Sequence, residues 1–499
     1  MTTVLVMVVA IAMLAWSAGP SASASARGTT ALALSSGVHH HTIMVLPNGV
    51  DDTSDIQAAF NSCVGYGPGC TVQLVKGTYY TSQIVVTGFQ GSFVGAGQGS
   101  TMILGNPSLA SPTADPFWSA LPGPGNPWPA MFTFVNGAFS ISAMTISDTN
   151  YYPTLGWDWP GFGTVTALWS WVLITGTQAY VSINHLTAIG GPGDQGPYPG
   201  NPDSFNNING ITFEGMLLPS GWSDPYADQI PLSGSFSLVS SSLQWAVSAV
   251  WTENVLDATG TICFNSIQTA GSGFWDISAS QLLFCGNVVT NVVSEVGVGF
   301  GGIQSMYKTD LLPSTVSAVG NYFAVNTGGA GPVFFDFGPL DGVASTLSAV
   351  VTGNVVAVDG TCATCWPDGS VITLGFALAN FDFLYNVITV SSNPVAAAIA
   401  VNNYYGGTGT GAGEVIGNVV TGANLSISLF GASGFHVTSN VVKNSGSWGI
   451  ALWGGSGNNI VSWNFVKNSG LYDLYWDGTG TGNVWTHNYC QTSSPPGLC

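Results

Sequence analysis

Apolar and polar residues alternate along much of this chain with a period of two. Short runs of Val, Ile and Phe are set against Ser, Thr and Gly, and turn residues close each run. That period predicts strands with one buried face rather than amphipathic helices. A second period lies over the first. Asn followed by two mostly apolar or aromatic residues recurs at Asn265, Asn287, Asn321, Asn354, Asn386, Asn418, Asn440, Asn464 and Asn488, in steps of 22 to 34 residues. The shortest steps suit a coil of three short strands and three turns, and the longer ones suit the same coil with about ten extra loop residues. One coil cannot bury its apolar face alone, so coils stack and share a core. Rungs about 4.8 Å apart would let each Asn amide bond its counterpart. The pattern predicts an all-β parallel β-helix, a solenoid. A propeller blade repeats at about 40 residues or more, and a leucine-rich repeat needs Leu at fixed sites and a helical segment.

Composition narrows the partners. The chain carries 24 Asp and Glu against five Lys and Arg, a net charge of −19, and only 6% of its residues are charged. Nucleic acid is excluded as a partner, because its phosphates need Lys and Arg; anionic membranes and polyanionic glycans are disfavoured alike. Val4 to Trp16 is an unbroken apolar run ahead of small residues at 22–26. It reads as a signal peptide over 1–26 and is too short to span a bilayer, which needs about 20 residues. The expectation is a secreted, extracellular protein without membrane insertion. All eight cysteines follow the signal, and export favours disulfides. Cys63 and Cys70 could close a short loop, and Cys490 and Cys499 could tie down the C-terminus. Cys263 and Cys285 each stand two residues before a ladder Asn, so they should bond across adjacent coils. Cys362 and Cys365 read as a structural pair in a loop.

Residues 27–46 form an N-terminal tail that includes His39, His40 and His41, and the helix proper runs over 47–499. Its start has a character of its own. Asp51-Asp52-Thr53-Ser54-Asp55 precedes Ile56-Gln57-Ala58-Ala59-Phe60, the signature of a short capped helix. Strand-like Thr71–Val75, Gly77-Thr78-Tyr79-Tyr80 and Ile84–Val86 follow, then Gly95, Gly97 and Gly99 before Thr101. This succession resembles the N-terminal cap of the pectate lyase-like superfamily over about sixty residues (47–105). The resemblance implies a single-stranded right-handed parallel β-helix with a short N-terminal cap helix, acting on polysaccharide. The acids at 51, 52 and 55 then read as part of the cap, shielding an end strand. The polygalacturonase motifs of that superfamily are absent, and the Arg base of its lyases has no counterpart beyond Arg27. GxSxG and HExxH are missing too.

Candidate chemistry follows from alignment of the coils. Long loops occupy 106–222, rich in Pro, Gly and Trp, and Trp157 and Trp159 are candidate walls for sugar rings. In the strand after each ladder Asn, alternation would turn Asp276, Glu295 and Asp336 outward on three consecutive rungs, with Trp251 and Glu253 upstream on that face. Two rungs span roughly 9.6 Å, so the carboxyls could reach the ~6.5–9.5 Å separation of an inverting glycosidase. Trp453 and Tyr475, with Asp473 and Asp477, would extend the strip. His185, His436 and His487 read as stacked structural residues. No metal site is expected; calcium at Asp194 and Asp203 is a side possibility with no standard spacing. The leading expectation is hydrolysis of a neutral polysaccharide by Asp276, Glu295 and Asp336. Alternatives are a non-catalytic glycan-binding or adhesive β-helix, and a calcium-assisted lyase using Lys308. The sequence leaves the oligomeric state open.

Overall fold

The computed structural model describes residues 40–106, 130–149, 157–159, 163–165, 168–190, 207–217, 229–230, 232–290, 298–301, 315–327, 335–337, 348–360, 372–374, 380–391, 397–402 and 412–499. The chain winds as a right-handed parallel β-helix in which each coil contributes a strand to three long parallel sheets. The strand Ala130–Ser147 crosses all three in one pass, bent where Asn136 and Ala143 adopt φ 56 and 59. Residues 130–135 belong to sheet 1, 137–142 to sheet 2 and 144–147 to sheet 3. Each segment pairs in parallel with its equivalent one coil later, as in Phe132↔Val172, Phe139↔Val181 and Met144↔Leu186. The last coils repeat the scheme compactly, with Trp448–Trp453, Ile460–Ser462 and Phe465–Lys467 in sheets 1, 2 and 3. Alternate residues turn inward and stack with their equivalents: Phe134, Ile174, Phe213, Leu429 and Leu452 lie on or beside the axis with almost no exposure.

The cap is the helix α1, Thr53–Tyr66, which buries Ile56, Ala59, Phe60 and Cys63 over the open end of the stack. Phe60 meets Phe89, Phe93 and Phe134 at ring distances of 5.1, 5.0 and 5.6 Å. A disulfide joins Cys63 to Cys70 at the start of the strand Cys70–Leu74. The acids of the cap are structural, with one change of role. Asp52 makes no side-chain cap bond; its buried carboxylate accepts from Asn48 N and Tyr80 N at 2.7 and 2.8 Å. Asp51 receives the Thr53 N–H at 3.0 Å instead.

The asparagine ladder forms the corner between sheets 2 and 3. Asn354 Oδ1 accepts both the backbone N–H and the side-chain N–H of Asn321, each at 2.9 Å. Asn354 Nδ2 in turn donates to Asn386 Oδ1 and to Ala318 O, and the relay continues to Asn488. Upstream of Asn265 the amide gives way to Ser241, whose Oγ accepts from Leu186 N at 3.2 Å. The residue before each rung is left-handed, including His185 and His487 at φ 50 and 55. His436 lies elsewhere, within the sheet 2 strand Phe435–Thr438, so the three histidines do not form one set. Disulfides Cys263–Cys285 and Cys490–Cys499 are present where expected. Cys362 and Cys365, the signal segment and His39 lie outside the described residues.

Asn354→Ala would strand the buried N–H groups of Asn321, and each buried donor without a partner costs about 1–3 kcal/mol. Denaturant unfolding should therefore show a loss of roughly 3–5 kcal/mol, larger than for the equivalent change at Asn488 on the final rung. Equal losses at the two positions would contradict a relay.

Candidate functional site

The extra length of the coils is not spread evenly. Long connections lead into sheet 1 between Gly105 and Ala130, Ser147 and Leu168, and Ile189 and Asn207. Others leave it between Leu217 and Leu232, Gly301 and Thr315, and Phe337 and Ser348. The ladder corner stays tight. Sheet 1 is thus bordered by long connections on both sides, and the antiparallel pair Trp157–Trp159 and Gly163–Val165 belongs to one of them. The insertions run far beyond residue 222, because coils from 298 to 402 carry them as well.

Two outward register lines run along sheet 1. The first is Thr133, Leu173, Thr212, Trp251, Trp275, Gly299 and Asp336. The second is Val135, Thr175, Glu214, Glu253 and Ile277. Outward residues of a solenoid ordinarily meet solvent, yet Thr133, Thr175 and Thr212 are wholly buried and Glu214 is 1% exposed. The three threonine hydroxyls have no hydrogen-bond partner. Each such buried group costs about 1–3 kcal/mol, so packing alone does not account for these hydroxyls. Glu214 and Glu253 are register partners on adjacent rungs.

At the end of the sheet 3 segment sits Asp148. It is fully buried, and neither carboxyl oxygen has a partner in hydrogen-bond geometry. Trp171 packs close by; a Cβ on Gly190 would lie 3.2 Å from its ring and 3.3 Å from Asp148 Oδ1. Burial pushes the Asp148 carboxyl up to about 7, with the nearby Trp171 N–H opposing. A second acidic pair, Asp382 and Glu414, occupies adjacent rungs of sheet 2 with His436 on the next. Burial and then the Glu414 charge raise the Asp382 carboxyl. Glu414 and His436 are exposed on an open face. Among the described residues no group of three His, Cys, Asp or Glu could hold a metal ion, and none of the described helices is long and apolar enough to cross a membrane.

The residues singled out from the sequence separate here. Trp251 and Glu253 lie two residues apart in the sheet 1 segment of the strand Ser242–Cys263. Asp276 and Asp336 do not share a register line: Asp276 pairs with Thr252 and Phe300, and Phe300 with Phe337. That line carries the core residues Phe213, Ile174 and Phe134 two to four rungs before Asp276. Asp336 pairs with Gly299 and through it with Trp275, on the outward line. The two acids are one residue out of step in the register. Glu295, Asp194, Asp203 and Lys308 lie outside the described residues. Trp453 and Tyr475 occupy the C-terminal end of sheet 1: Trp453 Nε1 donates to Ser428 Oγ at 2.9 Å, and Tyr475 stacks on Trp448 at 4.2 Å. Asp473 is structural, accepting from Ser469 N and Gln491 N, and Asp477 receives Gly454 N. Glu214, buried on the second line, is a candidate that sequence reasoning missed. It sits upstream of the ladder, where no Asn marks the phase of the coil.

The class defined by this architecture is the right-handed parallel β-helix, the fold that the cap resemblance implies. No family description and no curated protein sequence matches the chain. Among solved structures it is similar to the A-module of the mannuronan C-5 epimerase AlgE6 from Azotobacter vinelandii (14% identity over 90% of this chain and 97% of that one, TM-score 0.45). It is also similar to the surface protein and adhesin PfbA of Streptococcus pneumoniae (12% identity, 91% and 98% coverage, TM-score 0.38). A third is the catalytic domain of a GH87 α-1,3-glucanase (12% identity, 89% and 69% coverage, TM-score 0.37). Neither substrate nor activity is carried over from these likenesses.

Asp148 makes a signed pH prediction. Its folded value of about 7 lies above the ordinary 3.8, so the folded state holds this proton more tightly than the unfolded chain. The contribution is full below pH 4 and is lost as pH rises toward 7. Asp148→Asn should therefore melt progressively higher relative to the parent between pH 4 and 7, with the gap levelling off above. A gap that stays constant across that range would refute the assignment.

Proposed function

We propose that this is an extracellular carbohydrate-active protein that hydrolyses a neutral polysaccharide on sheet 1, with Glu214 and Glu253 as the carboxylate pair. The observation that carries this reading is the buried outward floor of Thr133, Thr175, Thr212 and Glu214, beneath a face bordered by long connections. Glu253 stands on the next rung from Glu214, and Trp251 lies two residues from it on the same face. The ring of Trp251 suits the flat apolar side of a sugar, and the threonine hydroxyls suit its rim. An acidic chain with one Arg and four Lys favours a neutral glycan over a polyuronate.

The pair differs from the row expected from sequence in one consequential way. Adjacent rungs are about 4.8 Å apart, near the ~5–5.5 Å of retaining glycosidases and short of the inverting range. In this reading one carboxyl protonates the leaving glycosidic oxygen while the other attacks the anomeric carbon. Water then releases the glycosyl group, with the first carboxylate accepting its proton. Asp336, three rungs from Trp251 along the first line, and the Trp157–Trp159 hairpin are assigned to more distant subsites, with Trp453 and Tyr475 beyond them.

Purified protein should release reducing ends from at least one neutral polysaccharide, with retention of anomeric configuration. Glu214→Gln and Glu253→Gln should each lower kcat by roughly 10²–10⁴-fold while the fold is kept. Release that survives both substitutions would sink the assignment. Glycan binding without release that Trp251→Ala abolishes would point to a binding protein on the same face.

A further inference from the structure

A different surface of the solenoid carries a feature that folding alone does not explain. At the corner between sheets 2 and 3 the residue before each ladder Asn must be left-handed. Four of the nine such positions from 264 onward are Gly286, Gly320, Gly353 and Gly417, with φ of 59 to 67. Glycine is the unstrained choice there. Phe264, Tyr385 and Trp463 hold the same conformation at φ 59, 59 and 58, which is a true outlier for a bulky side chain. All three are also left in solvent, with exposures of 62%, 63% and 63%. Strain and exposed apolar area thus coincide three times on one edge.

The neighbouring coils accommodate these rings. A Cβ on Gly286 would lie 2.8 Å from the Phe264 ring, and one on Gly417 would lie 2.5 Å from the Tyr385 ring. Each ring leans over the glycine of the following coil. Trp463 instead stacks on His487 at 4.3 Å with planes 2° apart. Counted in rungs, Phe264 and Tyr385 stand roughly 19 Å apart along the axis, and Tyr385 and Trp463 roughly 14 Å. The result is a straight row of separate aromatic rings on the edge opposite sheet 1.

We propose that this edge is a docking ridge for an extended, neutral polysaccharide chain lying parallel to the helix axis. Separate rings in line suit a ligand that offers an apolar sugar face at repeated intervals. They do not suit a protein partner. Three aromatic side chains a little over three-fifths exposed offer on the order of 400 Å², in separate pieces, against the ~800 Å² that each partner of a stable pair buries. The charge of −19 turns away polyanions. The ridge is independent of the carboxylates on sheet 1 and would hold the protein on a polymer whether or not sheet 1 cuts it.

The test is depletion of the full protein from solution by insoluble β-1,4-glucan, β-1,3-glucan, chitin and mannan, alongside the triple variant Phe264→Gly, Tyr385→Gly, Trp463→Gly. Glycine relieves the backbone at each position, so the variant should melt at the parent temperature or higher. Retention on at least one polymer should fall by ten-fold or more in the triple variant. It should be unchanged in Glu214→Gln, Glu253→Gln protein, which separates this ridge from the sheet 1 site. Equal retention of parent and triple variant would overturn the proposal, as would no retention of the parent on any polymer. Sedimentation showing a parent dimer that the triple variant abolishes would overturn it in favour of self-association.

Discussion

The structure depends on the asparagine relay at the corner between sheets 2 and 3. Each amide there answers a backbone N–H of the preceding rung, the side-chain N–H of its neighbour and a carbonyl of the coil before. Nothing charged takes part. A parallel stack needs every strand held in phase with the next, since a slip of one residue exchanges core for surface. The relay fixes that phase at one corner of every coil from Ser241 to Asn488. The other two corners are then free to accept insertions. Long connections on both sides of sheet 1 are affordable only because the opposite corner does not vary.

Upstream of residue 241 the phase is held differently. Met144 and Leu186 occupy the place of the amide, and strands such as Ala130–Ser147 and Leu168–Ile189 run through several sheets without interruption. Aromatic packing under the cap adds to this, with Phe134 against Phe139 at 4.4 Å. The region that lacks the ladder is also the region where outward threonines and Glu214 lie buried. A site that keeps hydroxyls unpaired lowers stability locally, and here continuous strands and a dense aromatic core stand around it. That division, strain at the site and redundancy beside it, is the arrangement expected where function rather than packing selects the side chains.

What could be read from the sequence follows the same boundary. Period-two alternation, the Asn spacing, the cap helix and the pairing of Cys263 with Cys285 were legible because each is a local signal or repeats with the coil. The faces of Asp276 and Asp336 were not. Both stand in sheet 1, on the far side of a variable connection from the last ladder Asn, so their phase relative to it depends on loop geometry that composition does not encode. Phe334-Phe335-Asp336-Phe337 and Phe274-Trp275-Asp276-Ile277 look alike, yet they pair one residue out of step. Glu214 was hidden for a related reason: no Asn precedes it, and only the register of its strand with Glu253 shows which line it occupies. Trp251 and Glu253, two residues apart in one strand, needed no such alignment.

A solenoid also changes what a charged residue means. Any surface position has an equivalent about 4.8 Å away on the next coil. Neutral amides and hydroxyls stack at that distance with mutual hydrogen bonds, as Ser140 and Ser92 do at 3.0 Å. Carboxylates stacked in the same way repel. A chain that keeps its charged residues to 6% avoids the problem almost everywhere. In the register of the described strands, acids meet on adjacent rungs at Glu214–Glu253 and Asp382–Glu414. At the second pair the repulsion is visible, since Glu414 adds to the burial that raises the Asp382 carboxyl. That pair lies on an open face where solvent can relieve it. In the first, Glu214 is buried, and the buried hydroxyls of Thr133, Thr175 and Thr212 have no partners. Stacked acids in a solenoid are costly in proportion to their enclosure, so the cost falls most heavily on Glu214, which is buried.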